Sequence, residues 1–198
     1  MEASQKAQKM KAIKINDNLI LIIGIVLFLL SYKFDVQVNF FFKNAKFPII
    51  DAVLGVITNF GVVILVMLII PSIAIYKKNK KIVHALLIAF TSSIILAFVI
   101  KIIVLRQRPT EMFAYPFINI INYSFPSMHS MIAFSLLPCL VKYLPKQKFF
   151  WISFAFLVGL SRVYFRFHFL SDVIFGALVG YFAGTYVLKL HEKKKIWK

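Results

Sequence analysis

Apolar residues along this chain come in runs of about 20, too long for a strand and too continuous for the one-sided stripe of a surface helix. The first contains "LILIIGIVLFLL", Leu19 to Leu30, without a single polar interruption. Later runs are separated by lysine clusters and short polar breaks. The pattern predicts helices near 17–33, 51–76, 82–105, 127–144, 149–166 and 169–190, with a reentrant or interfacial piece at "VNFFFKNAKF", residues 38–47. The expected fold class is therefore an all-α integral membrane protein, a bundle of six transmembrane helices. The opening run follows a lysine-rich start but leads into Ser31, Tyr32 and Lys33 rather than a small-x-small cleavage site, so it reads as an uncleaved first span. The longest break after residue 50 runs from Arg106 to Pro126 and holds Pro109, Pro116 and Asn122. With no internal repeat and no low-complexity linker, residues 1–198 form one expected domain.

Charge fixes the expected direction of the spans. Lys6, Lys9, Lys11 and Lys14 precede the first helix, and Lys77, Lys78, Lys80 and Lys81 lie between the second and third. Lys142, Lys146 and Lys148 lie between the fourth and fifth, and Lys189, Lys193, Lys194, Lys195 and Lys198 close the chain. In a six-helix arrangement these fall on one side, leaving Lys33, Lys43 and Lys46 on the other. Cytoplasmic segments are enriched in positive charge, so both termini are expected in the cytoplasm of a multi-pass cell (inner) membrane protein. The net charge of +17 raises nucleic acid as a partner, but lysines split among short segments at one membrane face answer to topology and anionic head groups instead. The single cysteine, Cys139, cannot form an intrachain disulfide and reads as a small core residue.

The arginines do not follow this bias. All four, Arg106, Arg108, Arg162 and Arg166, fall near the opposite, external ends of helices. The same ends carry Lys101 inside an apolar stretch seven residues before Arg108, Ser127 and His129 in "SFPSMHS", and His168 and Asp172 in "SRVYFRFHFLSD".

Taken together, these pieces resemble the phosphatidic acid phosphatase type 2 superfamily, whose signatures read K-x6-RP, PSGH and SR-x5-H-x3-D. Lys101 through Arg108-Pro109 matches the first, Pro126-Ser127-Met128-His129 the second, and Ser161-Arg162 through His168 to Asp172 the third. Order and spacing agree over about 70 residues. The family's glycine in the second signature is Met128 here. A methionine fits there only if its φ is negative, since a side chain disfavours the left-handed region.

The residues themselves suit the chemistry the resemblance implies. A phosphate monoester or diphosphate is a compact multi-anion, and Lys101, Arg108 and Arg162 offer one point charge and two planar forks. Three cations near an apolar boundary repel one another unless an anion joins them. Ser127 starts a helix, where its hydroxyl can cap free N–H groups or bind a phosphate oxygen, with the backbone amides of Met128 and His129 beside it. His168 and Asp172 stand four apart, one face of a helix, so the carboxylate can fix the imidazole tautomer. The resemblance implies that His168 attacks phosphorus to give a phosphohistidine while His129 protonates the leaving oxygen and later activates water. Two histidines and an aspartate also read as a metal site, but the neighbouring cations would repel a divalent ion and already supply its charge; no metal and no cofactor are expected.

Arg106 and Arg166 flank the signatures and are expected to contact a substrate head group or lipid phosphates. Asp51, Thr58, Asn59, Thr91, Ser92 and Ser93 are expected to hydrogen-bond between helices. The expected activity is hydrolysis of a lipid phosphate on the outer leaflet, facing the periplasm or exterior. Candidate substrates are lipid A 1-phosphate or undecaprenyl diphosphate first, then phosphatidylglycerol phosphate and phosphatidic acid. A non-catalytic anionic-lipid binder or transporter is the alternative, disfavoured because binding alone needs no oriented imidazole.

Overall fold

The computed structural model describes residues 16–45, 47–77, 79–110 and 122–193. Lys6, Lys9, Lys11, Lys14, Lys46, Lys78, Lys194, Lys195 and Lys198, and the loop residues Tyr115, Pro116 and Phe117, lie outside the described residues. The described secondary structure is entirely helical: α1 Asp17–Asn44, α2 Pro48–Ile57, α3 Phe60–Tyr76, α4 Lys80–Val104, α5 Met128–Tyr143, α6 Lys148–Tyr164 and α7 Leu170–Glu192.

Helix α1 is longer than its apolar run. The polar residues at its middle do not end it, because Ser31 Oγ donates to the Phe28 carbonyl within the helix, 2.8 Å away, and Asp35 turns inward. The expected reentrant piece at 38–47 is thus mostly the last turns of α1, and Pro48 begins α2. Ser31 and Asp35 are the buried residues of α1; its leucines and isoleucines are largely exposed, as a lipid-facing helix requires.

The expected second helix, 51–76, is broken instead. Asn59 accepts from the Gly61 and Val62 amides at 2.9 and 3.3 Å, capping a new helix, and α2 and α3 meet at 58°. Further on, Leu65–Ile69 widens into a π turn immediately before Pro71. A proline ring crowds the carbonyl four residues earlier and cannot donate to it, and a wider turn relieves both faults. Helix α4 begins on the Asn79 cap and ends at Leu105, whose φ of 52° turns the chain away from the helix axis.

Helices α5 and α7 form the centre. Gly176, Gly180 and Gly184 line the face of α7 towards α5, where an added Cβ would stand 2.7 Å from the Ser127 carbonyl oxygen, 2.2 Å from that of Met131 and 1.9 Å from that of Ser135. Only glycine permits backbones this close. Around the pair, Val63, Met67, Ile82, Leu86, Ile132, Leu136, Leu140, Trp151 and Val158 make the apolar core, and Cys139 is buried within it as a free thiol.

Among the described residues, α1, α4 and α7 are long and apolar enough to cross a membrane, and the α2–α3 pair is a fourth crossing when counted as one bent span. Helices α5 and α6, of 16 and 17 residues, are shorter.

Candidate active site

Four helix ends meet around one cluster of polar residues: the C-terminus of α4, the N-terminus of α5, the C-terminus of α6 and the N-terminus of α7. The break between α2 and α3 and the middle of α1 reach it from the sides.

Lys101, in the last turn of α4, is only 2% exposed and donates Nζ to the Tyr123 carbonyl. Arg108 donates Nε to the Asn122 carbonyl at 3.0 Å and NH1 to the Phe167 carbonyl at 2.8 Å, tying the α4–α5 connection to the turn before α7. Arg162 donates to the Thr58 hydroxyl at 2.7 Å and stacks on the Phe167 ring at 4.5 Å. The three cations expected from the sequence are therefore brought together, each on oxygen atoms of irregular backbone or a hydroxyl.

Ser127 occupies the N-cap position of α5 and is fully buried, yet its side chain makes no capping bond. Its hydroxyl accepts from Ser130 Oγ at 3.1 Å, while its amide donates to the Asp172 carbonyl at 3.1 Å. Met128 begins α5, and Leu105 and Arg166 are the only non-glycine described residues with positive φ, so the methionine meets the backbone condition set by its side chain. His129 is half-buried, one residue on, against the Phe60 ring at 5.0 Å.

His168 lies in the turn between α6 and α7, 3% exposed. Burial, reinforced by the charges of Arg108, Arg162 and Lys101, pushes its pKa well below the ordinary histidine value and keeps the imidazole neutral. Its Nδ1 stands 3.6 Å from Asp172 Oδ2, and no well-aligned hydrogen bond reaches that nitrogen. The two side chains do lie close, but not on one helix face as the four-residue spacing suggested, since His168 precedes α7; the contact is too long for a closed hydrogen bond.

Asp172, fully buried, is held from elsewhere. Oδ2 accepts from the Phe169 amide at 2.9 Å, the N-terminal capping bond of α7, and Oδ1 accepts from Arg106 NH1 at 2.7 Å. Arg106 NH2 donates to Asp35 Oδ2 at 2.7 Å, NH1 also donates to Ser171 Oγ at 2.7 Å, and its guanidinium lies over the Phe169 ring at 4.1 Å. Arg106 thus faces inward onto two carboxylates. Arg166 donates Nε to Asn39 Oδ1 at 2.8 Å. Both arginines expected to hold a head group carry side-chain partners from the protein itself.

Asp35 was not among the residues the sequence pointed to. Its one signal was an acid inside an apolar helix, in "SYKFDVQV", and such a group defaults to a functional site. Asp51 and Thr58 do bond between helices, to Tyr164 and Arg162. Thr91, Ser92 and Ser93 instead bond carbonyls of their own helix, and Asn59 is a cap. Among the described residues no group of three or more His, Cys, Asp or Glu side chains is arranged to hold a metal ion.

A family model described as the PAP2 superfamily matches residues 81–196. Phosphatidylglycerophosphatase B of Bacillus subtilis (strain 168) is 37% identical over 121 residues, 56% of this chain and 58% of that protein. The bacitracin transport permease protein BcrC of Bacillus licheniformis is 36% identical over 67 residues, 34% of this chain and 33% of that protein. This chain is therefore matched over less than two thirds of either relative's length. A crystal structure of the first transmembrane PAP2 type phosphatidylglycerolphosphate phosphatase from Bacillus subtilis is similar with a TM-score of 0.69 and 25% identity, over 92% of this chain and 98% of that one. The crystal structure of Aquifex aeolicus LpxE is similar with a TM-score of 0.62 and 25% identity, over 78% and 94%.

Proposed function

The chain belongs to the PAP2 superfamily, and from that premise we propose that it is a lipid phosphatase that works through a phosphohistidine. The observation that carries the reading is the meeting of Lys101, Arg108 and Arg162 with His168 and Asp172 at four converging helix ends. A phosphate drawn to the cations takes Nζ of Lys101 and the forks of Arg108 and Arg162, with the Ser127 hydroxyl and the amides of Met128 and His129 at the start of α5. The second imidazole nitrogen of His168 attacks phosphorus, and the bond to the lipid oxygen breaks. His129 gives that oxygen its proton, then takes one from the water that attacks the phosphohistidine and releases inorganic phosphate. Asp172 stabilises the positive charge that His168 acquires. The cations supply the charge neutralisation that a metal provides elsewhere, and the reaction is metal-independent in this reading.

Six passes, α1, the α2–α3 pair, α4, α5, α6 and α7, put both termini in the cytoplasm and the site at the periplasmic or external face. The substrate is a phosphate monoester or diphosphate of a membrane lipid. Lipid A 1-phosphate and undecaprenyl diphosphate lead if Arg106 and Arg166 hold a second group, but both arginines have partners within the protein. That geometry, with the likeness to a phosphatidylglycerolphosphate phosphatase, favours the small head group of phosphatidylglycerol phosphate.

The test is phosphate release by purified full-length protein from phosphatidylglycerol phosphate, undecaprenyl diphosphate, lipid A and phosphatidic acid, with and without chelator. Turnover unaffected by chelator and lost in His168→Ala, together with a phosphoenzyme trapped in the wild type only, is the expected result. Normal turnover in His168→Ala, or saturable lipid binding with no phosphate release in the wild type, overturns it; the latter marks a lipid binder.

A further inference from the structure

We propose that Asp35 and Arg106 are a positioning pair, in which the first helix fixes the Asp172 carboxylate against His168. The proposal rests on the reading of His168 and Asp172 as the reacting pair and adds two residues to it.

The geometry leads there from Asp35. It is 3% exposed in the middle of a helix whose other long side chains mostly face outward, a costly place for a carboxylate. Among the described residues, its side-chain hydrogen bonds go to the start of α7 and to Arg106. Oδ1 accepts from the Ser171 amide at 2.9 Å, and Oδ2 accepts from Ser171 Oγ and from Arg106 NH2. Helix α7 has a phenylalanine at its N-cap, so one of its free N–H groups is satisfied by an acid from another helix. The residue after Ser171 is Asp172.

Charge explains why two acids are needed. Arg106 alone would neutralise Asp172 and leave the imidazole facing an uncharged pair. With Asp35 on its other fork, the trio of two carboxylates and one guanidinium keeps a net negative charge beside His168. The same fork occupies Asp172 Oδ1 and leaves Oδ2 as the oxygen turned to Nδ1. A fork engaging two carboxylates fixes direction as well as charge, which an ammonium cannot do. The groups facing His168 from the other elements are cationic: Lys101 from α4, Arg108 beyond its end and Arg162 from α6. The family match begins at residue 81, so Asp35 lies outside it.

Three variants of the full-length protein test this: Asp35→Asn, Arg106→Gln and the two combined. Phosphate release from phosphatidylglycerol phosphate in mixed micelles is followed beside 15N spectra of histidine-labelled protein, with the His168 signals identified by their loss in His168→Ala. Each single change is expected to lower kcat at least tenfold with KM within about twofold. The double change, which leaves Asp172 charged beside neutral partners, is expected to be far less damaging than the product of the two. The spectra are expected to show one His168 tautomer, Nδ1–H, in the wild type and a mixture in Asp35→Asn. Should Asp35→Asn not fold, Arg106→Lys is read in its place: it keeps the charge, loses the fork, and is expected to show the same fall in kcat and the same mixed tautomer. A rise in KM at constant kcat in Arg106→Gln would mark a head-group contact and overturn the proposal. So would strictly multiplicative effects, or a kcat and tautomer in Asp35→Asn equal to wild type. If the wild type releases no phosphate from any lipid, the phosphatase reading fails, and the tautomer of His168 still decides whether Asp35 and Arg106 position Asp172.

Discussion

Replacing Gly184 by alanine should separate the two central helices. The new Cβ would stand 1.9 Å from the Ser135 carbonyl oxygen and 2.7 Å from its carbon, and ordinary contact begins at 3.4 Å. The obstacle is backbone inside a helix and cannot rotate aside, so α5 and α7 must part locally by about 1.5 Å, enough to forfeit much of the dispersion contact along the seam. Overpacking of this kind costs about 3 kcal/mol at the upper end of its usual range. Alanine returns about 1 kcal/mol of helix propensity relative to glycine. The expected net loss is about 2 kcal/mol, a fall in Tm of about 4–8 °C for a chain of this size. Gly24→Ala is the control: its Cβ also meets an atom closely, Leu178 Cδ1 at 2.3 Å, but that atom is the tip of a flexible side chain on the outer side of the bundle. A rotamer shift there costs about 1 kcal/mol, close to what alanine returns, so Tm should hardly move. The assay is thermal unfolding of both variants in the same detergent. Equal Tm values for Gly184→Ala and wild type, or a larger fall for Gly24→Ala, would refute the claim that the glycine face sets the α5–α7 distance.

Other expectations follow from the same geometry. Arg108→Lys and Arg162→Lys keep the charge but lose the fork that reaches the Asn122 and Phe167 carbonyls or stacks on Phe167, so each should lower kcat/KM by about tenfold or more in the phosphate-release assay. In a Cys139→Ala background, a cysteine at Asn79 should react with a membrane-impermeant thiol reagent only after the membrane is opened, and one at Asn44 in intact cells; the reverse pattern would put the site in the cytoplasm. Leu105→Gly should hold or raise Tm by a few degrees, because a half-exposed leucine at a φ of 52° carries about 1–2 kcal/mol of left-handed strain that glycine lacks. A fall in Tm would mean that the leucine side chain matters more than its backbone.

The sequence made the helices legible where apolar runs ended in caps or charges, and the predicted ends of α4, α5, α6 and α7 fall within a few residues of those observed. It failed where a polar residue changes role with its surroundings. Asn59 looks like an interhelical donor within a span; in the fold it caps a new helix and bends the pair by 58°. Ser31, Tyr32 and Lys33 look like the end of the first span, but a serine bonded to its own helix and an acid paired elsewhere let α1 continue to Asn44. The cations and the His168–Asp172 pair were visible because their spacing is local or sits at helix ends. Arg106 was visible as a cation near the signatures, but its pairing with Asp35 was not, since it joins positions 71 residues apart and no periodicity reports it.

The irregular backbone around the site has its own electrostatic logic. Lys101, Arg108 and Arg162 are held by oxygens from the loop before α5, the turn before α7 and the break between α2 and α3. Helix ends and breaks leave carbonyls without an intrahelical partner, so acceptors for long cationic side chains gather where helices stop. A carboxylate in the same places would hold the cations more tightly but cancel their charge. Carbonyls and a hydroxyl hold these donors with dipoles and bring no formal negative charge of their own. The acids Asp35 and Asp172 are joined by Arg106, one on each arm of its guanidinium. Asp172 Oδ2 lies 3.6 Å from His168 Nδ1, so the imidazole has acidic groups as well as the three cations near it. In the proposed mechanism, the phosphate faces the cations while the charge that His168 gains faces the Asp172 carboxylate.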